Sequence, residues 1–354
     1  MMRALACLAI CAAMLASAQA APPVVGRTLE VGTTGFAAMR PVMAAACPHA
    51  CPWGELGDFL EDAAKPFGYD IVLCRNCNRA EGPRIVAKVA LPPALTPLDV
   101  YIGTTERVNA KVDFGVTEAG LLAAAYDGVG PYAADGPFKN LRLIAKIEDP
   151  TYLLVAVKTS SGITDLNQIA AKHLPVHILA AGALANAVLA HYGLTGEALA
   201  KWGGSVGFAM GASRDAAFDV IVSDLGSSAN NPESNFWTSL SQAQDLTFLQ
   251  LPPALLDELA RMPGAVRVTA RWGLLRGVDR TIDTVGRSGE AFFARDDMPE
   301  QAGYDLAKAI DQRRANLKWY VRPYSYDPNT VWTDQDVPLH PGAARYYREK
   351  GYLR

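Results

Sequence analysis

A chain of 354 residues, half of them apolar, 19% charged and with a formal net charge of -3, has the composition of an ordinary globular protein. It holds no Lys/Arg block of the kind that tracks a phosphate backbone, which argues against nucleic acid as a partner. Gly and Pro are scattered, there is no low-complexity tail and no internal repeat, and only the first residues are apolar enough to engage a membrane.

Residues 1–20 read as an export signal. Arg3 supplies the charge, Ala4 to about Ala16 forms an apolar run shorter than the roughly 20 residues of a spanning helix, and Ala18-Gln19-Ala20 makes a small-residue cleavage site. A membrane anchor is the rival reading. Lipidation at Cys7 or Cys11 is a lesser one, because both lie inside the apolar run. Cleavage near Ala20 places the mature chain in the periplasm and leaves about 334 residues, above the 250–300 at which one core stops growing. Two domains are therefore expected.

Beyond the signal, short β-branched runs alternate with amphipathic stretches. Thr28 to Val31, Asp70 to Leu73, Asp113 to Val116, Leu141 to Ile147, Tyr152 to Val157, Val176 to Leu179 and Asp219 to Val222 read as strands. Trp53 to Phe67 reads as a helix, since Leu56, Phe59, Leu60, Ala63, Ala64 and Phe67 follow the i, i+3, i+4, i+7 spacing. Leu184 to Tyr192 is a second, and Met298 to Leu317 a third, opened by the acidic residues Asp297 and Glu300. Strands separated by helices imply parallel sheets covered on both faces, an α/β fold. Tyr152 to Lys158 and Gly289 to Arg295 read as crossover strands, so that lobe one comprises residues 22–158 and 283–354 and lobe two residues 159–282.

Asp113-Phe114-Gly115-Val116-Thr117 and Ala125-Tyr126-Asp127-Gly128-Val129-Gly130-Pro131 resemble the strand and following Ala-Tyr-x-Gly-x-Gly turn of the TAXI family, the solute receptors of tripartite (TRAP) transporters. Leu141 to Ala145, Leu153 to Lys158, Ser161-Gly162-Ile163 and Asp165-Leu166 are similar to its crossover strand and its entry to lobe two. The run from Val337-Pro338-Leu339-His340-Pro341-Gly342 to Lys350-Gly351 is similar to its C-terminal signature. The resemblance is strong over 113–166 and 285–351 and weak over 36–90. It implies a two-lobed, type II-like Venus-flytrap fold with two crossover hinge strands and no catalytic residues. It also implies small carboxylates such as glutamate or 2-oxoglutarate as ligands, and a TRAP membrane permease as partner.

In open α/β sheets the ligand lies beyond the carboxyl ends of the strands, where helix N-termini attract anions. After Thr28 to Val31 those positions are Thr33, Thr34 and Gly35, either ligand donors or a structural turn. After Val116 they are Thr117 and Glu118, the latter a partner for an ammonium or amide donor or a helix cap. In lobe two, Ala180-Ala181-Gly182-Ala183-Leu184-Ala185-Asn186 stands where relatives carry a Gly-Ser-Gly-Thr-like run. The hydroxyls are gone, which leaves backbone N–H groups and Asn186, and points to a ligand less anionic or more apolar. Ser223 and Asp224 follow the strand Asp219 to Val222, with capping as their alternative. For a carboxylate, Arg79 is the first candidate fork, with Arg84 and Arg107 behind it. Tyr152 lines the cleft or sits in the core.

Cys47, Cys51, Cys74 and Cys77 form C-x3-C and C-x2-C pairs in an exported chain, so two disulfides are the default, and bridges between the two segments are favoured. A four-thiolate zinc site, with His49 nearby, is the sharper alternative. A thioredoxin-like pair at Cys74 and Cys77 is weaker, because no thioredoxin pattern surrounds it. Covalent haem is excluded by Asn78.

No nucleophile elbow, Walker loop or HExxH occurs, and His173, His177, His191 and His340 are scattered. Gly203-Gly204-Ser205-Val206-Gly207 lacks the lysine of a phosphate loop. No cofactor and no enzyme activity are expected. The favoured reading is a receptor that closes on a small ligand at Thr33, Thr34, Thr117, Glu118, Asn186, Ser223 and Asp224. A periplasmic sensor for a signalling partner, or an enzyme on the same fold, is the alternative.

Overall fold

Alternating apolar strands can bury two faces only if helices cover both, and this chain does so twice. The computed structural model describes residues 26–45, 52–77, 80–96, 99–100, 103–226, 235–319 and 324–353. In chain order the first lobe holds β1 (Arg27–Leu29), β2 (Val42–Ala44), α1 (Pro52–Ala64), β3 (Val72–Cys74), α2 (Glu81–Ala87), β4 (Glu106–Val108), β5 (Phe114–Glu118), α3 (Ala119–Asp127) and β6 (Leu141–Ile147). The second holds β7 (Thr151–Lys158), α4 (Asn167–Lys172), β8 (His177–Ala181), α5 (Ala183–His191), α6 (Gly196–Lys201), β9 (Ser205–Phe208) and β10 (Val220–Gly226). It continues through α7 (Asn235–Ala243), β11 (Leu246–Phe248), α8 (Pro253–Leu259), β12 (Val266–Ala270) and β13 (Ile282–Gly286). The chain then returns to the first lobe as β14 (Glu290–Arg295), α9 (Glu300–Arg313) and α10 (Pro341–Glu349).

The first five-stranded sheet has the order β3-β2-β5-β14-β6, with β2, β3 and β5 parallel and β14 antiparallel to both neighbours. Period-2 alternation divides its side chains. Met43, Phe114, Val116 and Phe292 pack under α1, α9 and α10, while Val42, Ala44, Ala291 and Phe293 pack under α2 and α3. The second sheet has the order β11-β7-β10-β8-β9, with β8, β9 and β10 parallel. Leu153, Val155 and Val222 face α5 and α8, and Leu154, Ala156 and Ile221 face α7. Among the described residues no helix is long and apolar enough to cross a membrane.

Three differences from the sequence reading matter for the site. The strand Thr151–Lys158 pairs along its length with β10 and also with β11, so it lies wholly in the second sheet, and the chain leaves the first sheet at 148–150 rather than at 158. Val285 of β13 is in the second core, so the return crossing lies at 287–289. Among the described residues the strand at 27–29 pairs only with β4, outside the main sheet, whose first strand is instead β2.

The C-terminal signature has a packing role. His340 is buried; its Nδ1 accepts from the Gly342 N–H at 3.2 Å, capping α10, and its Nε2 donates to Met298 O at 3.1 Å. Burial holds this imidazole below its ordinary pKa, which keeps it in the neutral form that cap requires. Gly303 makes room for the ring: a Cβ there would stand 2.1 Å from His340 Nδ1.

Candidate functional site

Register fixes where the strands of both sheets end. Glu118 at the end of β5 lies opposite Glu290 at the start of β14, and Gly226 at the end of β10 lies opposite Thr151 at the start of β7. The parallel strands of both lobes therefore send their carboxyl ends towards the two crossings, where loops and helix N-termini of an α/β sheet meet their ligands.

The crossings are bonded to each other where the two sheets meet. The Thr151 N–H donates to Arg287 O at 3.1 Å, and the Arg287 N–H donates to Thr151 Oγ1 at 3.0 Å. The Ala119 N–H, at the start of α3, donates to Gly289 O at 2.9 Å. Such close approach needs glycine: a Cβ on Gly286 would stand 1.7 Å from Thr151 O.

Arg287 stands at the centre. Its Nη1 donates to Glu118 Oε1, and its Nε approaches Thr151 Oγ1 at 3.5 Å. Burial alone would lower its pKa, but the carboxylates of Glu118, Asp224 and Glu290 outweigh that and raise it above the ordinary arginine value. Glu118 and Glu290 belong to the first lobe and Asp224 to the second, so one guanidinium feels charges from both. Although it lies deep between the lobes, the side chain is 30% exposed. Among the described residues its Nη2 makes no hydrogen bond.

The second lobe brings Asp224, partly buried, beside the start of α5: a Cβ on Gly182 would stand 3.2 Å from Asp224 Oδ2. Gly182 takes φ 98° as the N-cap of α5 and offers no side-chain cap. Ser223 is buried and donates its hydroxyl to Ala181 O at 3.4 Å, so that hydroxyl is spent inside the sheet. Asn186 is exposed on α5, with its N–H closing the first turn on Gly182 O at 3.1 Å. Tyr152 is half-buried against the core beneath α7, beside the first crossing. Thr117 lies at the carboxyl end of β5 but is wholly buried.

Glu118 and Asp224 are thus brought together around Arg287, with Thr117, Tyr152, Asn186 and Ser223 on elements that end at the same place. Thr33, Thr34 and Gly35 are not part of this arrangement. Gly35 pairs with Arg40, Phe36 packs on Tyr69 and Phe114, and the Asp70 N–H donates to Met39 O. These contacts lie where β3 and β5 begin, at the pole opposite the cleft. Arg79, Cys47 and Cys51 lie outside the described residues. Arg84 is committed to Asp135, Glu81 and Pro131 O, and Arg107 donates to Pro92 O. In the sequence Arg287 is marked only as a lone arginine between Gly286 and Gly289, at the joint before a crossover strand.

The cysteine expectation is corrected. Cys74 and Cys77 are bonded to each other, not to the other segment. The chain turns tightly there, the Cys77 N–H reaching Cys74 O at 3.4 Å, and the Cα atoms stand 5.5 Å apart, within bonding range. That bond removes two of the four thiolates a zinc site would need. Among the described residues no group of three or more His, Cys, Asp or Glu is placed to hold a metal. The disulfide caps the carboxyl end of β3, where the Ala45 N–H donates to Cys74 O at 3.1 Å.

Among solved structures, XAC2383 from Xanthomonas citri bound to ATP is similar over 88% of this chain and 95% of its own, at 12% identity and TM-score 0.43. A TctC solute-binding protein from Polaromonas is similar over 88% and 97%, at 14% identity and TM-score 0.40. The aliphatic sulphonate binding protein SsuA of Escherichia coli is similar over 93% and 80%, at 10% identity and TM-score 0.33. The sequence model of the NMT1-like family matches residues 105–351, from the end of the first sheet's N-terminal half through the second lobe to the C-terminal helix. That match covers well over half of the chain, which therefore belongs to the NMT1-like family.

Proposed function

We propose that this protein is the extracytoplasmic receptor of a TRAP-type transporter, of the TAXI kind, exported to the periplasm. It captures a small carboxylate-bearing ligand between its lobes and hands it to the membrane permease. The observation that carries this reading is the Arg287 guanidinium where the two crossings meet, bonded to Glu118 through Nη1 and still 30% exposed. A guanidinium held on one side by Glu118 and Thr151 is preorganised to receive a carboxylate on the other. The motifs at 113–131 and 337–351 support the TAXI assignment.

Binding then couples to closure. Glu118 and Asp224 approach the same guanidinium from opposite lobes, so a ligand seated on Arg287 contacts both lobes only when they are together. It favours the closed form by its differential affinity for that form. The chemistry asked of the site is recognition, and no bond is made or broken.

The test is a thermal-shift titration of ligand-free protein with small carboxylates, since a ligand that binds only the folded state raises Tm with concentration. A saturable rise is expected, weakened at least tenfold in affinity by Arg287→Lys. That change keeps the positive charge among Glu118, Asp224 and Glu290 but removes the fork. Absence of any carboxylate response, or a response indifferent to Arg287→Lys, refutes the reading.

A further inference from the structure

We infer that the ligand is amphipathic: a single carboxylate on Arg287, with an apolar body laid across the carboxyl edge of the second sheet to Phe208 and Met210. This rests on the cleft reading above and adds the class of substrate.

The second sheet ends in a row. Ala181 of β8 is level with Ser223 of β10, Phe208 of β9 is level with Ala180, and the Ala209 N–H donates to Ala180 O at 3.1 Å. Leaving Asp224 and moving outwards, that edge presents Ala181, Gly182 and Ala183, and then Phe208 and Met210. The Ser223 hydroxyl is turned inwards to Ala181 O, so among the described residues of this row between Asp224 and Phe208 the side chains are apolar or spent. Phe208 is 66% exposed and Met210 43% exposed, at the end of an edge strand. Two large apolar side chains left exposed at the carboxyl end of an edge strand, on the side of the sheet where ligands are expected, suit an apolar ligand.

A dicarboxylate would need a second anion site on this wall. Among the described residues of this wall the electropositive feature is the uncapped start of α5, and it already faces the Asp224 carboxylate beside Gly182. A second negative charge would be repelled, whereas methylenes or a ring would meet alanine and glycine at no cost in lost hydrogen bonds. From β10 to β9 is two strand spacings, about 10 Å. An extended chain covers that in about eight single bonds. The structure thus favours medium-chain or aryl-alkanoic monocarboxylates over four- or five-carbon dicarboxylates.

The experiment is calorimetric titration of ligand-free protein with butyrate, hexanoate, octanoate, 3-phenylpropionate, succinate and glutamate. Affinity is expected to rise about fourfold per added methylene from butyrate to octanoate, with succinate and glutamate weaker than octanoate. Phe208→Ser, on an exposed edge position that leaves the core intact, is expected to flatten that chain-length series while leaving butyrate unchanged. Arg287→Lys is expected to weaken butyrate and octanoate by the same factor. Tighter binding of succinate or glutamate than of octanoate, or a chain-length series unaltered by Phe208→Ser, overturns the inference and leaves the receptor reading standing. No binding by any of the acids overturns both.

Discussion

Asp334 offers the sharpest test of how burial and charge are balanced in the first lobe. It is 4% exposed, and its Oδ2 has no hydrogen-bond partner among the described residues. The groups facing it are Lys146 and Glu148, themselves paired at 3.2 Å, with Thr330 Oγ1 donating to Glu148 at 2.6 Å. Burial pushes the Asp334 carboxyl up to about 6; Lys146 pulls it down and Glu148 pushes it further up. The folded state thus binds the proton more tightly than the unfolded chain, in which the ordinary value near 3.8 applies. Stability is highest below that value, falls as pH rises towards 6, and is flat above it. A rise of roughly two units corresponds to about 3 kcal/mol lost at neutral pH. Asp334→Asn keeps the shape and cannot ionise. It should therefore gain about 3 kcal/mol at pH 7.5 and nothing at pH 4, where the wild-type carboxyl is already protonated. Urea titrations at the two pH values, followed by both circular dichroism and tryptophan fluorescence so that lobes unfolding separately are seen as such, measure this. A gain of equal size at both pH values, or none at pH 7.5, refutes the reasoning.

Beside the hinge, Gly120 of the first lobe touches Gly264 of the second so closely that a Cβ at 120 would stand 1.9 Å from Gly264 Cα, and Gly130 similarly abuts Pro263. Gly120→Ala should hold the lobes apart, enlarge the radius measured by small-angle scattering and weaken ligand binding at least tenfold; an unchanged affinity would show that the contact is no part of closure. Asp311, buried under α10, accepts from Tyr346 at 2.5 Å, Tyr352 at 3.1 Å and Arg314. Burial pushes its carboxyl up, but those donors outweigh it and hold the pKa below the ordinary value. Its stabilisation is therefore present at neutral pH and lost as pH falls through the folded value. Asp311→Asn should cost about 2 kcal/mol at pH 7, with a deficit in urea midpoint that shrinks on acidification; a deficit constant with pH would contradict the charge argument.

What the sequence showed of this architecture, and what it hid, follows the range of the forces involved. Local periodicity identified α1 through Leu56, Phe59 and Leu60, which form part of the first core, and identified the strands at 114–118, 141–147 and 220–226. Periodicity is silent about partners. The short run Val42-Met43-Ala44 has one β-branched residue and no alternation of polarity, because both its faces are buried, so the first strand of the sheet was sought at Thr28 to Val31. That one displacement is why Thr33, Thr34 and Gly35 lie at the pole opposite the two crossings. Arg287 was hidden for a related reason: its partners Thr151 and Glu118 lie 136 and 169 residues away, and nothing in its neighbourhood marks it. The rule that ligands gather at carboxyl strand ends led to Glu118 and Asp224, which the structure places around Arg287, because strand direction in a parallel sheet is set by the crossover helices. The same rule applied to β9 leads to Phe208 and Met210, which a search for hydroxyls and charges would pass over. A site assembled at a hinge needs its polar groups on the floor, where both lobes reach them, and can leave a wall apolar. In the proposed receptor, selectivity for chain length resides in the wall, and the coupling of binding to closure resides in Arg287.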